Sequence, residues 1–442
     1  MGGSLPPPVA RPGGRPRRPR LAQRQEPSRG GDVPHRTVAK VVAYGLGAQA
    51  VAQAAVVAGL VVSNRRRKRR SPEVISFPTV EPVESSLDRT TITTYTFGRD
   101  VFADMLEAIR GARREIFFES YILKGDAVGR AFKEALCEAA ERGVAVHVVF
   151  DGFANLVVPR EFKRWPPGVH TLEYPVVTPD VLLGPRHWGR DHRKILVVDE
   201  EVGFVGGYNV GQEYATQWRD THVRVTGAAV AELVNVFIDF WNRHRHEDQP
   251  ELSDGRSRAW GLPVQAHRNA PSRLLFPIRG MYLEAIDRAD ETIWITQAYF
   301  IPDREILEEL LRARRRGVDV KVILPERSNH VVADWVARYY FEQLLSGGVE
   351  LWLYQDAMVH AKTAVVDGVW VTVGTANIDR LSLTGNYEVN LEILDAGQAA
   401  HMQEIFRRDL TNCRQLTLAE WRGRAWWARG IERLLQPLQP LL

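Results

Sequence analysis

The stretch His192-Arg193-Lys194-Ile195-Leu196-Val197-Val198-Asp199 returns 168 residues later as His360-Ala361-Lys362-Thr363-Ala364-Val365-Val366-Asp367, so one pattern, HxKxxxxD, stands twice in the chain. Lysine is rare here: the 58 basic residues include only eight lysines, and the others are arginine. At that composition one chance match has odds of about 1%, and two in register are far rarer. The agreement continues downstream. At +17 from each histidine stands an asparagine, Asn209 and Asn377, and at +28 an acid, Asp220 and Glu388. Small residues, Gly206-Gly207 and Gly374-Thr375, precede the asparagines.

Working outward, the body from about 90 to 410 reads as one unit written twice. Each copy opens with a helix-like segment, DMLEAIRGARREI or YLEAIDRADETI, and runs into an apolar stretch around Tyr121 or Tyr299. A second helix-period segment then ends at a glycine stop, Arg142-Gly143 or Arg316-Gly317, before a β-rich run, VAVHVVFDG or VDVKVILPE. Helices alternating with short apolar strands predict an α/β layered unit with a largely buried sheet. The expected division is a first domain over 90–247, a polar, turn-rich linker over 248–272, and a second domain over 273–410.

On a strand, residues i and i+2 face the same side, so each motif histidine points with its lysine. Two such edges face to face would bring two imidazoles, two ammonium groups and two amides to one point. That cluster suits a phosphate. Lys194, Lys362, Asn209 and Asn377 can hold its non-bridging oxygens, while one histidine attacks phosphorus and the other protonates the leaving alkoxide. Asp220 and Glu388 can accept the other ring N–H and orient each imidazole, and the two histidines are expected to titrate as a pair, one neutral and one charged near pH 7. Asp199 and Asp367 enter as members of the catalytic motif, with a structural task at the turn closing each apolar run. Tyr121 and Tyr299 are expected to occupy matching places, as packed rings with bonded hydroxyls. His222 shares a strand face with Asp220, but its counterpart is Asn390, so no role is assigned to it.

The paired motifs, the GGYN and GTAN turns and the duplicated unit resemble the phospholipase D superfamily. More narrowly, RDHRKILVVD, GFVGGYNVGQEY, WRDTHVRV and the tail LTLAEWRGRAWWARGIERLLQPLQPLL resemble bacterial cardiolipin synthases, over roughly residues 90–442. The resemblance implies two phospholipase D-type α/β/α sandwich domains related by a pseudo-twofold axis, with one active site at their interface. It implies a route through a covalent phosphohistidine that needs no metal or other cofactor, with His192 as nucleophile and His360 as acid and later base. Two phosphatidylglycerol molecules would give cardiolipin and glycerol. Leu381 and Gly385 stand where the family often carries arginine and leucine, with Arg380 one step early, which bears on the choice of acceptor.

The flanks fit a lipid substrate. Residues 1–36 are rich in Pro, Gly and Arg and read as disordered. Within 37–70, the uncharged run Val41–Val62 is about 33 Å long as a helix, enough to cross a bilayer, and the cations from Arg65 to Arg70 place the catalytic body on the cytoplasmic side of a bacterial inner membrane. The tail over 411–442 interleaves Trp421, Trp426 and Trp427 with arginines, which suits either an anionic bilayer surface or the closing of the second core. Leu156 to Arg190 is long for a connector and can wall a lipid entrance. Cys137 and Cys413 give neither a disulfide framework nor a thiolate metal site. The expected partners are anionic phospholipid and the membrane surface, with no nucleic acid, since no aromatic-basic stacking platform is evident. A phospholipase D using water or another alcohol is the near alternative. A nuclease, or a lipid-binding protein without catalysis, is further off.

Overall fold

The computed structural model describes residues 35–70, 76–177, 189–253 and 261–441. The chain falls into two compact units, Met1–Ala52 and Gln53–Leu442. In the first, the described residues are helical and belong to one long helix, His35–Arg70. Within that helix Gly47–Arg66 is long and apolar enough to cross a membrane. From Gln53 onward the helix belongs to the second unit, where Val56, Val57 and Leu60 pack on a core of that unit and Gln53 Nε2 donates to the carbonyl of Leu434 (2.8 Å).

The large unit holds two mixed sheets of the same plan. In the first, the order is Val83–Leu87, Thr90–Phe97, Trp218–Gly227, Val202–Gly206, Lys194–Val198, Glu115–Ser120, Ala145–Asp151 and Val169–Tyr174. The second runs Val264–Arg268, Val389–Leu394, Trp370–Gly374, Lys362–Val366, Thr292–Gln297, Asp319–Pro325, Glu350–Tyr354 and Cys413–Leu416. In both, the motif strand pairs antiparallel with its neighbours and the next three strands on one side run parallel to one another; in the second sheet Cys413–Leu416 follows them, antiparallel. Each motif strand is buried along its whole length, as its apolar run requires. Val264–Arg268 lies inside the segment expected to link the halves. Its five residues pair with Val389–Leu394 and extend the second sheet, a role too short to read from periodicity.

Helices cover both faces, giving two α/β/α sandwiches. Gly98–Gly111 buries Val101, Phe102, Met105 and Ile109 along one stripe against the first sheet. Ala127–Glu141 follows, capped by Asp126, whose side chain accepts from Gly129 N–H (3.1 Å). Arg304–Arg316, capped by Asp303, is its counterpart. The glycine stops behave as expected: Gly143 and Gly317 take φ of +89° and +100°, open to glycine without penalty. On the opposite faces lie Val230–His244 and Ala396–Leu410. One shared core joins Phe237 and Trp241 of the first half to Val371, Ile393 and Met402 of the second.

The tail is partly absorbed into the second half. Cys413–Leu416 adds a strand to the second sheet, and Trp421 is buried in the second core. Trp426 and Trp427 remain exposed, at 84% and 52%.

Candidate active site

Both motif histidines stand two residues before the lysine that opens a buried strand. They line one cleft of about 230 Å³ together with Asn209, Asn377, Tyr121 and Tyr299. The halves meet here by exchanging backbone bonds. His192 N–H donates to the carbonyl of Tyr387 (3.0 Å), and His360 N–H to that of Arg219 (2.6 Å). Tyr387 and Arg219 are equivalent in the repeat, each one place before the +28 acid. The exchange therefore extends to the side chains. His192 Nδ1 lies 3.0 Å from both carboxylate oxygens of Glu388, and His360 Nδ1 lies 2.7 Å from Oδ2 of Asp220. Each imidazole is held by the acid of the opposite half, which leaves its Nε2 for chemistry.

Lys194 Nζ donates to the carbonyl of His192 (2.5 Å), and Lys362 Nζ to that of His360. Lys362 Nζ also lies 2.9 Å from His360 Nδ1. That nitrogen cannot both donate to Asp220 and accept from an ammonium. The shorter contact, to a carboxylate, takes its proton. Asn209 Oδ1 accepts from Ile122 N–H (3.2 Å), while Oδ1 of Asn377 is buried without a partner among the described residues. The small residues before the asparagines have a steric cause. A Cβ on Gly207 would fall 2.1 Å from Oδ1 of Asp220. At the equivalent place Thr375 instead donates its hydroxyl to Glu388 Oε2 (2.5 Å), adding a bond to the longer acid.

Burial dominates the electrostatics. It pushes Asp220 up to about 6 and Glu388 up to about 7, against the pull of nearby lysines. Burial likewise lowers Lys194 to about 7 and Lys362 to about 8, with the carboxylates resisting. Both histidines are pushed well below their ordinary value, first by burial and then by the ammonium groups of Lys194 and Lys362. Burial and the neighbouring ammonium groups thus favour the neutral form of both imidazoles. A bound phosphodiester anion offsets the ammonium charges and favours protonation of one ring. Two imidazoles, two lysine amines and two asparagines brought to one place suit the cleft to bind and cleave a phosphodiester.

Asp199 and Asp367 are not in the cleft, which corrects their place among the catalytic residues. They stand at the far end of the motif strands, about 16 Å from the motif lysines at the strand rise of roughly 3.3 Å per residue. Asp199 accepts from the N–H groups of Arg113, Arg114 and Glu115 (2.9, 2.7 and 3.0 Å), and Asp367 from Asp290, Glu291 and Thr292 (2.8 Å each). Both take left-handed φ, 53° and 49°, which aspartate tolerates. Each clamps the turn that leads into the neighbouring strand, which runs antiparallel to the motif strand.

Tyr121 and Tyr299 do not occupy matching places. Ser120 pairs with Lys194 and Gln297 with Lys362, so the counterpart of Tyr121 is Ala298 and that of Tyr299 is Ile122. The rings still reach one cleft, Tyr121 at 4.7 Å from the His192 ring and Tyr299 at 6.3 Å from that of His360. His222 is buried beside Gly206, with neither ring nitrogen partnered among the described residues. Sequence reasoning passed over Trp218, whose ring lies 4.8 Å from that of His360, and the buried pair Arg219–Asp409. Arg219 donates to Asp409 at 2.9 and 2.6 Å and to the carbonyl of Asp220 at 2.7 Å, tying the first half's acid to a second-half helix. Its repeat equivalent is a tyrosine, so the duplication gave no signal for it.

A duplicated α/β/α sandwich with one histidine–lysine pair from each half in a shared cleft defines a phosphodiester-processing enzyme of the phospholipase D type. The family described as "Cardiolipin synthase, PLD-like domain" matches residues 105–241 and 282–410, and the chain belongs to it. A cardiolipin synthase of Staphylococcus aureus is 34% identical over 367 residues, covering 79% of this chain and 73% of that protein. One from Clostridium perfringens is 31% identical over 372 residues, covering 80% and 77%. Among solved structures, phosphatidylserine synthase of Haemophilus influenzae superposes with a TM-score of 0.62 at 14% identity, over 81% of this chain and 95% of that one, a likeness of fold.

Proposed function

We propose that this chain is a phosphatidyltransferase that joins two phosphatidylglycerol molecules into cardiolipin and releases glycerol. The reading is carried by the crossed pairing of His192 with Glu388 and His360 with Asp220 around one cleft. His192 Nε2 attacks phosphorus, the bond to the glycerol oxygen breaks, and His360 gives that oxygen its proton. The headgroup hydroxyl of the second lipid then loses its proton to His360 and attacks phosphorus, freeing His192. Lys194, Lys362, Asn209 and Asn377 hold the non-bridging oxygens throughout. Positive charge comes from the two lysines, so chelators are expected to leave turnover unchanged. The helix over Gly47–Arg66 anchors the protein in a bacterial inner membrane with the body on the cytoplasmic side. Anionic phospholipid and the membrane surface are its partners, and nucleic acid is not.

Phosphatidylglycerol vesicles supplied to the purified chain, with products analysed by mass spectrometry, test the reading. Cardiolipin with glycerol is expected. Phosphatidic acid would make the protein a hydrolase, and DNA cleavage without lipid turnover a nuclease. His192→Ala should abolish the covalent phosphoryl-enzyme, and wild-type turnover in that variant would overturn the assigned nucleophile.

A further inference from the structure

Loops of both halves beside the cleft carry exposed apolar side chains, and Asn155 ties the first of these loops to the carbonyl of the cleft residue Tyr121 (2.8 Å). In the first half these are Leu156 and Val157, at 59% and 91% exposure, with Phe153 close by. In the second they are Leu274 and Leu275, at 62% and 51%, and Leu381 at 38%. A leucine gains nothing from water at such places, and Leu274 adds a backbone cost. Its φ is +56°, held by a short bridge in which Ala270 and Leu275 exchange N–H···O bonds of 2.9 and 3.2 Å. The fold thus spends conformational strain to keep two leucines outward.

Contacts tie these tips to the cleft and to one another. Leu381, Ser382 and Asn386 line the cleft. Asn269, beside the leucine bridge, donates to the carbonyls of Ser382 and Leu383 (2.9 and 3.3 Å), and Ser272 Oγ accepts from Tyr387 OH (2.9 Å). On the first half, Arg190 donates its backbone N–H to Asn386 Oδ1 (3.0 Å) and carries its guanidinium 5.9 Å from the Phe153 ring. The short C-terminal turn Gln436–Leu441 packs on the helix Arg380–Thr384 that bears Leu381. Next to that turn, the carbonyl of Leu434 holds Gln53 of the long apolar helix. The path from that helix to the cleft mouth is continuous.

Arginine accompanies each tip: Arg160 after Leu156-Val157, Arg273 before Leu274-Leu275, and Arg380 before Leu381. All three are exposed. Exposed leucines flanked by guanidinium groups match the boundary of an anionic bilayer, where apolar side chains enter the acyl region and cations meet phosphates.

We propose that these tips form a docking rim through which the cleft mouth sits flat on an anionic phospholipid bilayer, so that a lipid headgroup passes into the site without crossing water. The proposal rests on the lipid-substrate reading for its purpose but not for its test. The full chain with Leu274→Ser and Leu275→Ser is assayed on phosphatidylglycerol vesicles and on dibutyryl phosphatidylglycerol dissolved as monomers. Turnover on vesicles should fall at least about tenfold while turnover of the monomeric lipid stays within about twofold. Unchanged vesicle turnover, or an equal fall on both, overturns the rim.

A second measurement needs no catalysis. With Cys137 and Cys413 replaced by alanine, Leu274→Cys carries an environment-sensitive fluorophore, and Val369→Cys, exposed at the opposite end of the motif strand, serves as control. On phosphatidylglycerol vesicles with acyl-chain nitroxides, the label at 274 should be quenched several-fold more than that at 369. Equal quenching overturns the rim even if turnover is seen. Strong quenching at 274 in a protein that turns over no lipid would sustain the rim and overturn the proposed reaction.

Discussion

The carboxylates and ammonium groups of the cleft set opposing limits on pH. Asp220 and Glu388 take up protons near 6 and 7, because burial raises them, and a neutral carboxyl no longer steadies an imidazolium. Lys194 and Lys362 lose theirs near 7 and 8, because burial lowers them, and a neutral amine no longer stabilises charge on phosphate. Activity therefore falls on both sides of a narrow bell centred at about pH 7, checked by kcat/KM across the range. Glu388→Gln should lower kcat roughly 10²–10⁴-fold and remove the higher of the two acid limbs. Gly207→Ala makes a finer test. The added methyl, 2.1 Å from Asp220 Oδ1, must displace that buried carboxylate, and a loss of roughly 10²-fold in kcat with a lowered melting temperature is expected.

At the scale of strands, each motif has two ends with separate tasks. The histidine end lines the cleft, and the aspartate end holds a turn. Burial opposes the charge on Asp199, but three backbone N–H donors outweigh it and hold the carboxyl below its usual range. The stability it contributes is present above its unfolded value near 4 and is lost as pH falls through the lower folded value. Asp199→Asn keeps the tolerance for left-handed backbone but weakens the bonds. It should cost about 1–3 kcal/mol in denaturant unfolding and leave kcat of the folded enzyme within about twofold. The sequence carried the strands, the repeat and the +28 acids plainly, because apolar runs and equal offsets survive in one dimension. It could not say that each acid crosses to the other half's histidine, since an offset is the same whether the contact is internal or exchanged. Nor could it place Tyr121 and Tyr299, because the two loops are equally long and the tyrosines stand one position apart on them, a difference of register that an apolar run does not reveal.

Across the whole molecule, the halves are joined by a shared core and by Arg219–Asp409, both buried at the seam. Asp409→Ala strands a guanidinium in that seam and should cost about 3–5 kcal/mol. Arg219→Met with Asp409→Leu should recover most of that stability without recovering kcat, since Arg219 also supports the carbonyl of Asp220. Unfolding midpoints and turnover on the same samples separate the two effects. The crossed acids also govern when the enzyme becomes reactive during its own synthesis. Glu388 leaves the ribosome 196 residues after His192, so the proposed nucleophile emerges without the group that aims it. A nascent or truncated chain exposes a harmless imidazole, and the capacity to cut lipids arises only once the last sheet has closed over the first.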